Sequence, residues 1–449
     1  MATALEQLLA LQSDPDRFAP SHAEITDLQV AAMDERLQER RGQIKLLAHR
    51  ADQAGLDTIT ARVDAVGVLF PHSVYKSYPD AFLAKENWAG LGKWLATVSP
   101  EPVPDIDVAS VTDIDDWVDR LAAGHFYVSC SSGTTGKSAM LPASDLDMER
   151  THVDTVQVFA WGSGVEPKAD RRNFGLAPTV TSPRNRASGD ALAEAFGLPG
   201  VPPYRLEIPP ITVGGMTKMV VLRKAIAEGT ARPDEIADFE RTSEERAEAL
   251  ERSYVLGAEA VIAARDEKLF VSGMWNALYH VAKLVRERGY SAADFDPDNC
   301  IYVGGGLKRA QLPDDYQEFV HQTFNIPANR EFQNYSMQEL NSGMPRCREG
   351  RRYHVPPWLV PFVLDQSGDV ALDHTSGALE GRAAFFDLSL DGRWGGVITG
   401  DRITLDLDPC PCGQGGPTVH DTIVRYADLQ GDDKIGCAGT VDAYVRGLS

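Results

Sequence analysis

The chain is 449 residues long and carries 65 Asp and Glu against 44 Lys and Arg, a formal net charge of -21 at neutral pH. That balance argues against nucleic acid and anionic membrane surfaces as partners, because both are bound through Lys and Arg that displace counterions. The length exceeds one ordinary core, so two or three subdomains are expected, and six scattered cysteines make no disulfide framework. The start, Met1 to Phe18, lacks a basic segment followed by a long apolar one, and nowhere do about eighteen uninterrupted apolar residues occur, so the expected location is cytoplasmic.

Residues 1–112 mix helical segments, such as Asp34 to Gln53 with Leu37, Ile44 and Leu47 on one face, with Pro-containing connections; a helical N-terminal layer is expected. A short acidic helix from Asp113 to Ala123 precedes a buried strand at Phe126, Tyr127 and Val128. That strand runs into Ser131, Ser132, Gly133, Thr134, Thr135, Gly136 and Lys137, which offer backbone N–H, hydroxyl and ammonium donors to an anion. Gly136, Lys137 and Ser138 satisfy the second half of the nucleotide-binding P-loop, yet Ser131 stands where that motif needs its opening glycine; a P-loop phosphotransferase is disfavoured. A helix from Asp145 to Ala160, N-capped by Ser144, completes a strand, loop and helix unit of α/β type.

Further on, Asp234 to Arg265 has the Glu, Arg and Ala density of a long solvated helix, and Leu269 to Gly289 predicts another, with Met274, Leu278, Val281 and Leu284 as its apolar stripe. At Cys300 a hydrophobic strand ends in Gly304, Gly305 and Gly306, implying close backbone approach to something, and a helix follows near Pro313. Asn334, Tyr335, Ser336, Met337, Gln338 and Glu339 then place an aromatic residue four positions before an acid. Residues 113–344 thus read as an αβ core. Residues 345–430 carry short β-like runs at Trp358 to Leu364, Gly381 to Leu388 and Val397 to Leu405, and predict a small β-rich, barrel-like subdomain. Here Cys347, His354, Cys410 and Cys412 supply three thiolates and one imidazole, a complete tetrahedral zinc shell with no open position; independent buried thiols are the alternative.

The segment Ser132 to Gly136, S-G-T-T-G, resembles the signature loop of adenylate-forming enzymes, the superfamily of acyl-CoA ligases, luciferases and peptide-synthetase adenylation domains. With Lys137 after the second glycine it looks most like the phenylacetate-CoA ligase branch, although Ser138 replaces the usual proline and Ala139 a frequent second lysine. The later motifs follow in the family's order. Gly304, Gly305 and Gly306 resemble the loop that lies along the adenine. Asn334 to Glu339 resembles the aromatic-Gly-x-Thr-Glu segment, which implies Tyr335 over the adenine and Glu339 holding magnesium, with Ser336 for the usual glycine and Gln338 for the usual threonine. Thr399-Gly400-Asp401 matches the Thr-Gly-Asp whose acceptor-only carboxylate takes both ribose hydroxyls, and Arg425 is the candidate for the arginine that touches ribose or phosphate.

What the resemblance implies is the large N-terminal domain of an adenylate-forming enzyme, two αβ subdomains plus a small β-barrel-like one, with the C-terminal lid reduced or absent and residues 431–449 as its remnant. The expected reaction is ATP-dependent activation of a carboxylic acid to an acyl-adenylate, with ATP and Mg2+ required, then acyl transfer to a thiol or amine: CoA, a protein cysteine or a small amine. The shortened outline also resembles acyl-protein synthetases, which makes Cys437 a candidate acyl carrier, a buried small hydrophobe being the bland alternative. Lys137 is the candidate compensating cation for the lysine that the lid would bring. Phe174, Thr179, Met216, Trp275 and Asn276 are candidates for the acid pocket or, for most of them, ordinary core. A catalytically silent nucleotide-binding homologue with a regulatory or scaffold role is the alternative function.

Overall fold

A computed structural model of the chain describes residues 2–130, 137–305, 311–430 and 435. The described residues fall into two compact units: 2–130, 137–154, 336–430 and 435 in the first, and 155–305 with 311–335 in the second. Among them no helix is long and apolar enough to cross a membrane.

In the first unit, Ser21 and Glu24 form a reciprocal cap that starts the helix His22–Arg40. The single helix expected over Asp34 to Gln53 is two: the chain turns at residues 41–44 and resumes as Lys45–Ala54, so that Ile44 and Leu47 bury on their own account. Asp113 caps Ile114–Ala123 by accepting from the Asp116 backbone N–H at 2.9 Å. The centre of the unit is a seven-stranded sheet with path order Tyr353–His354, Thr418–Val419, Gly396–Asp406, Ala378–Asp387 and Leu359–Leu364. Two short strands join the long Gly396–Asp406 strand: Val424–Arg425 antiparallel, and Phe70–Pro71 parallel, in register with Val397 and Ile398. The alternating or wholly apolar runs of this segment explain its burial; Leu359–Leu364 is buried along its whole length, as a strand covered on both faces must be. Trp94, Trp117, Trp358 and Trp394 fill the interior.

The second unit is a parallel sheet with the order Tyr204–Arg205, Arg172–Gly175, Leu269–Gly273, Cys300–Val303 and Glu331–Tyr335. Leu269 to Gly289 is a strand, Leu269–Gly273, followed by a helix, Trp275–Glu287. The apolar run Leu269-Phe270-Val271 fits either period, so the helical stripe extended falsely back across it. Gly273 marks the corner: a Cβ there would lie 3.3 Å from both the Leu176 carbonyl and the Leu278 side chain. Phe174 and Trp275 belong to this unit's core, 1% and 3% exposed.

The mixed α/β architecture expected from the sequence is therefore present.

Candidate functional site

Tyr127–Cys130 and Met140–Ala143 pair as a hairpin, Cys130 opposite Met140, so the signature loop is the connection between two antiparallel strands. Ser131, Ser132, Gly133, Thr134, Thr135 and Gly136 lie outside the described residues. Lys137 is held at the hairpin's edge: its Nζ is 2.8 Å from an Asp80 carboxylate oxygen, donates to the Tyr78 carbonyl, and sits 4.2 Å from the centre of the Tyr78 ring.

Arg393 fixes the next element. Its buried guanidinium donates to the Pro142 carbonyl at 2.8 Å and to the carbonyls of Gln338 and Glu339, each at 3.1 Å. One planar fork thereby ties the strand after the signature loop to the segment that carries Glu339. The half-buried Glu339 carboxylate makes no hydrogen bond or ion pair to any described residue, which leaves its oxygens for a hard cation.

The Thr-Gly-Asp motif sits within the Gly396–Asp406 strand. Thr399 Oγ1 donates to the Ala383 carbonyl at 2.8 Å and accepts from the Asp401 backbone N–H at 3.1 Å, so the threonine orients the aspartate two residues on. Asp401 and Arg425 are cross-strand partners, with Arg425 Nε 3.8 Å from a carboxylate oxygen of Asp401. The carboxylate is largely sheltered, at 19% exposure, while the arginine is 60% exposed and able to swing.

A lysine that sequence reasoning passed over completes this group. The turn His72–Lys76 follows the Phe70–Pro71 strand directly, which places it beside Gly396–Asp406. Burial lowers the pKa of Lys76; the charge of Glu339 opposes that shift and that of Arg425 adds to it. Tyr75, next to it, is buried and donates its hydroxyl to the Trp394 carbonyl at 3.2 Å; burial raises its pKa, and Arg393 and Glu339 are among the charges that act on it. In the linear sequence nothing connects residue 76 to residues 339 and 425, and a parallel two-residue strand gives almost no signal.

In the second unit, Gly304 and Gly305 end the Cys300–Val303 strand, with Gly304 N–H bonded to the Gly273 carbonyl at 2.9 Å and Gly305 at φ +85°, a backbone conformation that favours glycine. Asn334 and Tyr335 end the neighbouring parallel strand, Tyr335 8% exposed. Both therefore stand at the C-terminal ends of adjacent parallel strands, where α/β sheets bind ligands. Gly306 lies outside the described residues, as does Cys437. Ser336 is exposed on the first unit.

The four predicted metal ligands come together. The ligand atoms of Cys347, His354, Cys410 and Cys412 all lie within 4.8 Å of one another. An antiparallel turn brings Cys347 to His354, through Cys347 N–H to the Arg352 carbonyl and the pairing of Arg346 with Tyr353. A tight turn, Gly413 N–H to the Cys410 carbonyl at 2.8 Å, presents the other two thiols. The separations are 3.7 Å from Cys347 Sγ to Cys410 Sγ and 3.4 Å from Cys412 Sγ to His354 Nε2. A tetrahedral ion with bonds of about 2.3 Å to sulfur and 2.0–2.1 Å to nitrogen requires edges of about 3.8 and 3.6 Å. Burial pushes the Cys410 thiol up to about 12 and His354 down to about 4, so thiolates here need a cation to hold them.

No family model matches the sequence, and no curated protein matches it. Among solved structures the chain is similar to 2-hydroxyisobutyryl-CoA ligase in the postadenylation state with R3-HIB-AMP: TM-score 0.56, 13% identity, covering 92% of this chain and 70% of that one. Its open conformation with 2-HIB-AMP and CoA gives 0.54 at 12% identity, over 92% and 77% of the two chains. Its thioesterification state gives 0.52 at 14%, over 92% and 70%. The chain thus has the mixed α/β fold of the N-terminal domain of adenylate-forming enzymes.

Proposed function

We propose that this protein activates a carboxylic acid with ATP, forming an acyl-adenylate and pyrophosphate, and passes the acyl group to a thiol or amine such as CoA, a protein cysteine or a small amine. The observation that carries the reading is the cross-strand pairing of Asp401 with Arg425, in a fold shared with ligase structures solved with acyl-AMP. In this reading Asp401 accepts both ribose hydroxyls, Arg425 turns from the aspartate toward ribose or phosphate, and the hydroxyl-bearing loop 131–136 with Lys137 receives phosphate oxygens. Lys137 leaves Asp80 to do so. Gly304, Gly305, Gly306, Asn334, Tyr335 and Ser336 are the adenine-binding candidates that the resemblance implies. Held at Glu339, Mg2+ supplies charge neutralisation of the phosphates.

The Cys347, His354, Cys410 and Cys412 cluster holds zinc in the same reading. Four N and S ligands leave no open position, so this ion is structural and takes no part in the chemistry. Cys437, outside the described residues, remains the candidate acyl carrier where the acceptor is the protein itself.

Acid-dependent exchange of labelled pyrophosphate into ATP, screened across aliphatic, hydroxylated and aryl acids, tests the reading. Exchange with at least one acid supports it; ATP binding without exchange for any acid assigns the silent, regulatory alternative, and release of ADP assigns a phosphotransferase.

A further inference from the structure

We propose that Arg382 is a positioning residue for the ribose clamp: its buried guanidinium sets where Asp401 and Arg425 stand, and so confers selectivity for a nucleotide that keeps its sugar hydroxyls. The inference rests on the adenylate-forming reading and names the device that aims the two sugar-side residues of that reading.

The geometry starts from a break in strand register. Arg382 pairs with Arg402 and Ala384 with Ile398, so the single residue Ala383 faces Thr399, Gly400 and Asp401 together. The Gly396–Asp406 strand therefore bulges at the Thr-Gly-Asp motif, and a bulge re-aims the side chains it carries while taking their backbone groups off the ladder. Those groups need other partners, because a buried one left unpaired is costly. Thr399 Oγ1 serves two of them, donating to the Ala383 carbonyl at 2.8 Å and accepting from the Asp401 N–H at 3.1 Å. Arg382 serves the third: its Nη1 donates to the Thr399 carbonyl at 2.9 Å.

The same guanidinium is fixed from two further directions. Nε and Nη2 donate to the Gln366 carbonyl at 3.0 and 2.8 Å. That carbonyl belongs to a turn closed by Asp365, whose carboxylate accepts from the backbone N–H groups of Gly368, Asp369 and Val370. The guanidinium carbon also lies 4.2 Å from the centre of the Tyr426 ring. Tyr426 follows Arg425 directly and opens the helix Tyr426–Gln430, while Arg425 is the cross-strand partner of Asp401. One side chain, 1% exposed, thus holds both strands of the Asp401 and Arg425 pair. It grips the first by the carbonyl two residues before the aspartate and the second by the ring beside the arginine. A lysine cannot reproduce this, because an ammonium lacks the planar fork that reaches two carbonyls while stacking on a ring.

Arg382→Lys keeps the charge and removes the fork. Calorimetric titration of AMP and of 2′,3′-dideoxy-AMP into the wild-type chain, Arg382→Lys, Asp401→Ala and the double variant tests the assignment, with thermal denaturation as the check on folding. The expected result is a wild-type preference for AMP of at least about tenfold, falling below about threefold in Arg382→Lys. In the Asp401→Ala background, Arg382→Lys should change AMP affinity less than about twofold, because a residue that acts through Asp401 has nothing left to aim. Undiminished preference in Arg382→Lys, or equal loss of AMP affinity with and without Asp401, overturns the assignment and leaves Arg382 a structural part of the sheet. Tyr426→Leu, which removes the ring under the guanidinium, replaces Arg382→Lys if the latter does not fold. Wild-type protein that binds AMP no better than the dideoxy nucleotide sinks the adenylate-forming reading and the assignment with it, so the two failures are distinct.

Discussion

Asp401 owes its place to Thr399, whose hydroxyl accepts the aspartate's own N–H, and its environment to Arg425 across the strand pair. Replacing Asp401 with Ala removes acceptors for two ribose hydroxyls and should cost about 1.5–3 kcal/mol of binding for ATP and AMP alike. Titration of both nucleotides checks this: a sugar contact predicts equal loss for the two, and loss for ATP alone overturns it. A second residue-scale expectation concerns acid. Burial, then the charges of Arg62 and His374, hold His22 down at about 4, against an ordinary value near 6.5. Between those values the unfolded chain binds the proton that the folded chain refuses, so stability rises with pH across that window and is lost as pH falls through it. His22→Gln should flatten this acid limb, read from denaturant midpoints between pH 4 and 7. Asp401 was named a candidate from a short linear motif and Arg425 from its place after it, while their cross-strand pairing came only with the structure. The anchoring by Arg393 was not legible, since its partners Pro142, Gln338 and Glu339 lie 251, 55 and 54 positions away and a lone Arg carries no local signal.

At the scale of elements, the Cys347 to His354 turn and the Cys410 to Gly413 turn come together at four ligand atoms and around Gly350. A Cβ at residue 350 would stand 2.4 Å from Cys410 Sγ and 3.2 Å from Cys347 Sγ, closer than a methyl group tolerates. Gly350→Ala should therefore weaken metal retention by roughly tenfold or more, measured by competition with a chromophoric chelator. Purified chain should yield one zinc per molecule by elemental analysis, and stripping it should lower the thermal midpoint without abolishing ATP binding. The cysteine and histidine spacing announced this cluster in advance, because ligand chemistry restricts residue types strongly. Other elements were less readable. Leu269-Phe270-Val271 is apolar in every period, so strand and helix merged in the linear pattern, and the break between His22–Arg40 and Lys45–Ala54 fell inside what looked like one amphipathic stripe.

For the molecule as a whole, two units with separate cores make separate contributions to stability. In the second, Phe159 is fully buried, with ring centres of Phe196, Phe270 and Phe332 at 4.7, 4.6 and 5.1 Å. Phe159→Ala should cost about 3–5 kcal/mol of that unit's stability, seen by hydrogen exchange confined to its strands, while metal removal should loosen the strands of the first unit. The sequence by itself determined the α/β class, which depends on local pattern, and named the nucleotide-motif candidates and the four Cys and His residues that come together, because residue chemistry leaves few alternatives. Only the tertiary structure decided that Phe70–Pro71 joins a strand more than three hundred positions later and that Lys137 rests on Tyr78 and Asp80. Such long-range pairings are chosen by the shared burial of whole elements, and no window of residues contains the information that selects them.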